Sequence, residues 1–78
     1  MKICLTGKME QNRMSETRRF DSYGIQVMKK VTSNVDYLVT GSAPGWNKLN
    51  DAKRHNTTIM TETEFFDMLI EEMPEFLL

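Results

Sequence analysis

The chain has 78 residues, 40% apolar and 27% charged, with a net charge of −1. That length fits one small domain burying about 60% of its unfolded surface, and the composition is globular rather than disordered. The apolar runs are too short for a membrane-spanning helix, the N-terminus lacks the apolar stretch of a signal peptide, and the single cysteine cannot form an internal disulfide, so the expectation is a cytoplasmic protein, nucleoid-associated if bacterial or phage.

Lys2-Ile3-Cys4-Leu5-Thr6 is a short apolar run ended by Gly7, read as a buried strand with Cys4 as a small buried hydrophobe. Residues 8–12 are a polar loop. Asn12 suits the N-cap of a helix over 13–23, whose apolar stripe is thin: Met14, Phe20 and Tyr23. Gly24 suits the left-handed residue that closes that helix. Ile25-Gln26-Val27-Met28 alternates as a strand does and stops at Lys29-Lys30. After a connection from Val31 to Val35 comes the strongest strand pattern, Asp36-Tyr37-Leu38-Val39-Thr40, stopped by Gly41.

Ser42-Ala43-Pro44-Gly45 is a loop. Residues 46–54 form a short helix with Leu49 and Ala52 inward. Thr58-Ile59-Met60 reads as a short buried strand. Thr61-Glu62-Thr63-Glu64 matches a capping box: the Thr61 hydroxyl accepts from the Glu64 amide, and the Glu64 carboxylate reaches back to the Thr61 amide. The helix it opens runs to about Glu72, with Phe65, Phe66, Leu69, Ile70 and Met73 on or near its apolar face, and Pro74 stops it. The order β-α-β-β-α-β-α predicts an α/β fold, a largely parallel sheet with helices on its faces. Ligands of such sheets sit beyond the carboxyl ends of strands, and Thr6-Gly7 lies at such an end.

The charge is segregated. Residues 1–30 carry seven bases and three acids, a net of +4; residues 62–78 carry six acids and no base. The front of the chain suits an anionic partner, or is simply a solvated surface. Thr6-Gly7-Lys8 is either a tight turn or a place to hold a phosphate. It is not a nucleotide P-loop, since position 2 is Lys and position 9 is Met. His55 is the one histidine, with no second ligand at metal-binding spacing. Glu71, Glu72 and Glu75 read as solvated acids rather than a catalytic pair. Trp46, in the loop two residues before Lys48, stacks on a base, anchors a protein or folds over the core edge. The apolar tail Phe76-Leu77-Leu78 docks back, meets a partner or frays.

Taken in order, the residues resemble the BRCT domain family. The matching pieces are Leu5-Thr6-Gly7-Lys8-Met9, Arg13, Tyr23-Gly24 with Val27, Val31-Thr32, Val35-Asp36-Tyr37-Leu38-Val39 with Gly41, Ala43-Pro44-Gly45, Lys48-Leu49 with Ala52, and Ile59 with Thr61-Glu62 and Glu64-Phe65. They cover about residues 2–70. The nearest look is to the module at the end of NAD-dependent DNA ligases, then to that of the replication factor C large subunit. Gly24 is followed by Ile25 where the family often has a second glycine. Phe65 stands where many members have tryptophan. Asn56 replaces a frequent glycine, a mild change because Asn tolerates the left-handed region.

The resemblance implies a four-stranded parallel sheet flanked by three helices, in one domain over 1–78 with a core of about 2–73 and the tail at 74–78. It implies a non-catalytic binding module of DNA replication or repair, with no cofactor, no metal, no small-molecule substrate and no membrane. By the family's motif positions, Thr6, Gly7 and Lys48 would hold a phosphate, with Lys8 and Arg13 as auxiliary DNA contacts. Arg18 and Arg19 read better as a solvated helix face. The expected partner is DNA with a 5′-phosphate end or nick. The alternative is a DNA-metabolism protein, met by an adaptor through Trp46 or the tail, or by a phosphopeptide reader through the same Thr6, Gly7 and Lys48.

Overall fold

The computed structural model describes residues 1–9 and 17–73, and of residues 17–19 the backbone alone. The described elements, in order, are β1 (Lys2–Thr6), α1 (Thr17–Ser22), β2 (Gln26–Met28), β3 (Tyr37–Thr40), α2 (Trp46–Arg54), β4 (Thr58–Thr61) and α3 (Glu62–Glu72). The strands form one sheet in the order β2-β1-β3-β4, parallel throughout. The expected α/β architecture, a four-stranded parallel sheet with three helices, is what these residues adopt.

Alternation along β1 divides the core. Ile3 joins Phe20, Ile25, Val39, Phe65, Phe66 and Leu69 on the face covered by α1 and α3. Cys4 joins Val31, Val35, Leu38 and Ala52 on the face covered by α2 and the 31–35 connection. Phe65 is the centre of the first cluster. Its ring meets Phe20 edge-on at 6.3 Å and Tyr37 at 6.5 Å, the offset arrangements that aromatic quadrupoles favour.

Local chemistry sets most boundaries as the sequence predicts. Gly24 closes α1 in the left-handed region at φ 74°, and Asn56 takes the same region at φ 56° after α2. The Thr61–Glu64 capping box is complete, with N–O distances of 3.1 Å and 3.0 Å. Two strands start one residue late. Ile25 donates its amide to Phe20 O and so belongs to the end of α1. Asp36 lies before β3 and accepts the Lys2 amide on its Oδ2 at 2.8 Å, while its own amide donates to Lys2 O.

Two expectations are corrected. β4 is not a buried strand: it is a sheet edge, with Thr58, Ile59 and Thr61 exposed. A Thr-Ile-Met run looks the same at an edge as in the centre, because strand order is not written in local periodicity. The expected helix over 46–54 is α2, so Trp46, also read as a loop residue, is instead its first residue. Asn12 and Met14 of the expected first helix, and the 76–78 tail, lie outside the described residues.

Where β1 and β3 leave the sheet, their backbones cross at close range. Lys8 N donates to Ser42 O at 2.8 Å and Ser42 N to Lys8 O at 2.9 Å. A Cβ at Gly41 would overlap the Lys8 carbonyl oxygen, and one at Gly7, whose φ is 85°, would lie 2.6 Å from Ser42 O. Both obstacles are backbone, so neither can rotate away. Gly41→Ala is therefore expected to cost about 1–3 kcal/mol, read as a lower midpoint in urea unfolding.

The capping box adds a pH dependence. The Thr61 amide and then its hydroxyl hold the Glu64 carboxyl below its ordinary value. A folded-state pKa lowered in this way stabilises the fold above the free Glu value of about 4.3 and loses that contribution as pH falls through the folded value. Glu64→Ala should thus lower Tm relative to wild type at neutral pH, and the gap should narrow in strongly acidic buffer. Thr61→Ala should cost about 1 kcal/mol at neutral pH.

Candidate functional site at the carboxyl end of β1

The sequence separates Thr6-Gly7 from Gly45 and Lys48 by about forty residues; the β1–β3 pairing brings them together. Thr6 is the last residue of β1, its register partner is Thr40, and its carbonyl accepts the Gly41 amide at 2.9 Å. The chain then turns through Gly41–Gly45, with Ala43 at φ 51°, and enters α2. The Gly45 amide donates to Thr6 Oγ1 at 2.8 Å. Gly45 is small for a reason: a Cβ there would sit 3.2 Å from that same oxygen.

Lys48, in the first turn of α2, folds back over the strand end. Its Nζ donates to Leu5 O at 2.7 Å. The bond fixes the ammonium beside Thr6 and uses one of its three donors. Sequence reading foresaw Lys48 near Thr6 only through family position. The tether to Leu5 O had no signal in the sequence, because a backbone carbonyl at a strand end is the same for every residue type.

Further donors lie close by along the chain. The Thr6 hydroxyl accepts from Gly45 and keeps its own proton to give. The Gly7 amide has no acceptor among the described residues. Gly45 provides no side-chain cap for α2, and the first turn of that helix has no acid, so its leading amides stay open and the positive end of the helix dipole is uncompensated. Hydroxyl, amides and ammonium together can hold an oxyanion by charge-assisted hydrogen bonds.

The other predicted residues fall as follows. Lys8 is exposed immediately after Gly7, with its backbone locked to Ser42. Trp46 starts the helix that carries Lys48 and is 75% exposed, so it does not fold over the core edge. Arg13 lies outside the described residues, as do the side chains of Arg18 and Arg19. Lys48 is the α2 cation at the site, since Lys53 and Arg54 occupy the last turn of that helix.

A hollow opens beside the Gly41-Ser42 segment. This open hollow of about 220 Å³ is lined by Thr40, Gly41, Ser42, Thr61, Glu62 and Thr63. Its lining has an acid and no base, so it suits an anion less well than the surroundings of the Lys48 ammonium do.

Comparison with known proteins agrees with this fold. The profile of the BRCA1 C Terminus (BRCT) domain matches residues 1–69. The chain is 35% identical over 68 residues to the DNA ligase of Ruthia magnifica, covering 87% of this chain and 11% of the ligase. It is 37% identical over 69 residues to the DNA ligase of Haloferax volcanii, covering 88% and 10%, and 37% identical over 68 residues to that of Fervidobacterium nodosum, covering 86% and 10%. The chain spans about a tenth of the length of these relatives. A match across nearly all of the sheet and its helices, on a sheet of the expected order, shows that the chain belongs to the BRCT domain family.

Proposed function

We propose that the chain is a non-catalytic binding module of DNA metabolism that recognises a terminal phosphate, preferably the 5′-phosphate at a DNA end or nick. The observation that supports this reading is the convergence of the Thr6 hydroxyl, the Gly7 amide and the Lys48 ammonium at one strand end. Each contributes differently. Gly7 lets a phosphate oxygen approach the amide without a side chain in the way. Lys48 supplies a point charge already desolvated on one side by its bond to Leu5 O. Thr6 supplies a directional donor whose orientation Gly45 sets.

The relatives named as DNA ligases support DNA as the source of that phosphate. The surplus of bases in residues 1–30 supplies sequence-independent attraction to the backbone. Lys8, exposed beside Gly7, and Arg13, in the following segment, are the auxiliary contacts in this reading. A DNA terminus suits the site better than an internal phosphate, because a terminal group has more charge and more free oxygens for the same donors.

One observation favours a second reading. Trp46 is 75% exposed two residues before Lys48, and an exposed Trp at the rim of a polar site is a frequent anchor for a protein partner. In that case the same three donors hold a phosphorylated peptide, or Trp46 alone carries an adaptor interface.

Fluorescence anisotropy with a recessed or nicked duplex, with and without the 5′-phosphate, at about 50 and about 200 mM salt, tests the first reading. The phosphorylated duplex should bind more tightly and lose affinity with salt. Lys48→Ala should weaken it roughly 10–100-fold, abolish the preference for phosphate and lower the salt slope by about one. Lys53→Ala, at the far end of α2, should leave the preference intact. Equal binding of the two duplexes by the wild type, or an unchanged preference in Lys48→Ala, contradicts it. Trp46→Ala separates the second reading: it should abolish protein capture there and spare the phosphate preference.

A further inference from the structure

The sheet has one edge that nothing among the described residues guards. β4 pairs with β3 on one side, and it is the last strand of the sheet. An open edge strand presents unpaired amides and carbonyls, a template for a further strand. The opposite edge, β2, runs straight into Lys29 and Lys30, the kind of residue that blunts such an edge. β4 reads Thr-Ile-Met-Thr, with no charge, proline or glycine.

The open groups on β4 can be identified. The Thr40 hydroxyl donates to Met60 O at 3.3 Å, so the Met60 carbonyl faces β3. Backbone groups alternate in direction along a strand, so the amide and carbonyl of Ile59 face outward. The outward amide of Thr61 is already taken by Glu64 Oε1.

Apolar surface flanks that opening on both sides of the sheet. Ile59 is 40% exposed and Ile70 39%. Ile59 pairs in register with Leu38, which belongs to the core under α2, so its side chain is on the α2 face. On α3, Phe65 meets Phe20 of α1. Ile70 is five residues further, about 140° around the helix, and so looks away from α1, over β4. Two aliphatic side chains therefore straddle the open edge of β4.

Charge selects the occupant. α3 contains Glu62, Glu64, Asp67, Glu71 and Glu72 and no base. Nucleic acid is repelled from this side. A second copy paired symmetrically edge to edge would bring α3 against its own like charge. We propose that the β4 edge binds an extended segment of a protein partner as a fifth strand, with aliphatic residues beside Ile59 alternating with Lys or Arg on the α3 side. Such strand addition takes affinity from main-chain hydrogen bonds and specificity from alternate side chains. It does not use Thr6, Gly7 or Lys48, so this site and the phosphate site can be occupied independently.

The test is a nuclear magnetic resonance titration of the isotope-labelled chain with a capped Lys-Val-Lys-Val-Lys-Val peptide. Shifts should concentrate on Thr58–Thr61 and Ile70, and the Ile59 amide should gain protection from exchange. Ile59→Lys should weaken binding at least tenfold, whereas Lys48→Ala should not change it. A Glu-Val peptide of the same length should not bind. The Lys-Val peptide N-methylated along its pairing edge should lose binding with the protein untouched, which keeps the test valid if Ile59→Lys perturbs the fold. No binding at roughly millimolar peptide, binding indifferent to N-methylation, shifts spread over α3 alone, or a β4-mediated dimer of the free chain would each overturn the proposal.

Discussion

The close crossing of the β1 and β3 exits is the constraint on which the rest of the molecule depends. Two glycines permit it, and the reciprocal Lys8–Ser42 hydrogen bonds hold it. With the exits in contact, the 41–45 turn runs over the end of β1. That direction delivers the Gly45 amide to Thr6 and starts α2 so that Lys48 reaches the Leu5 carbonyl. A wider crossing would separate these groups by the width of a side chain, and the three donors would no longer face one point. The site is thus a consequence of backbone packing more than of side-chain placement.

The same arrangement separates charge across the molecule. The carboxyl end of β1 gathers hydroxyl, amide and ammonium donors, and the uncapped start of α2 adds its dipole. The edge carrying α3 gathers acids, two of which, Glu62 and Glu64, sit in the helix's first turn, where the dipole favours them. The two helix starts differ in charge: α2 has neither a side-chain cap nor an acid in its first turn, while α3 satisfies its own start with Thr61 and Glu64. A net charge near zero conceals this division.

What was legible in the sequence follows from the range of the interactions. The capping box at Thr61–Glu64, the left-handed residues Gly24 and Asn56, and the inward Ala52 are set by neighbours within one turn, and the structure has them as expected. The parallel sheet was legible because helices alternate with strands. Thr6, Gly7 and Lys48 could be grouped through the family pattern, but not the Gly45–Thr6 and Lys48–Leu5 bonds that hold the site, which link residues 39 and 43 positions apart. The edge position of β4 was misread, because burial of a strand depends on its neighbours in the sheet and not on its own residues. Trp46 was read both as the start of a helix over 46–54 and as a loop residue, because Gly45 gives no side-chain cap to mark that start, and the helix is what the structure has.

The central claim is that Gly7 and its neighbours hold a terminal phosphate, and the Gly7 amide reports on it most directly. Its proton resonance should be followed in the isotope-labelled chain as a short recessed duplex is added, once with a 5′-phosphate and once without. The account predicts a downfield shift of the Gly7 amide with the phosphorylated duplex, accompanied by shifts at Trp46 and Asn47, and little change with the other. A Gly7 resonance that stays in place while DNA binds, or moves equally with both duplexes, would contradict it and leave Thr6-Gly7 as the turn that lets two strands cross.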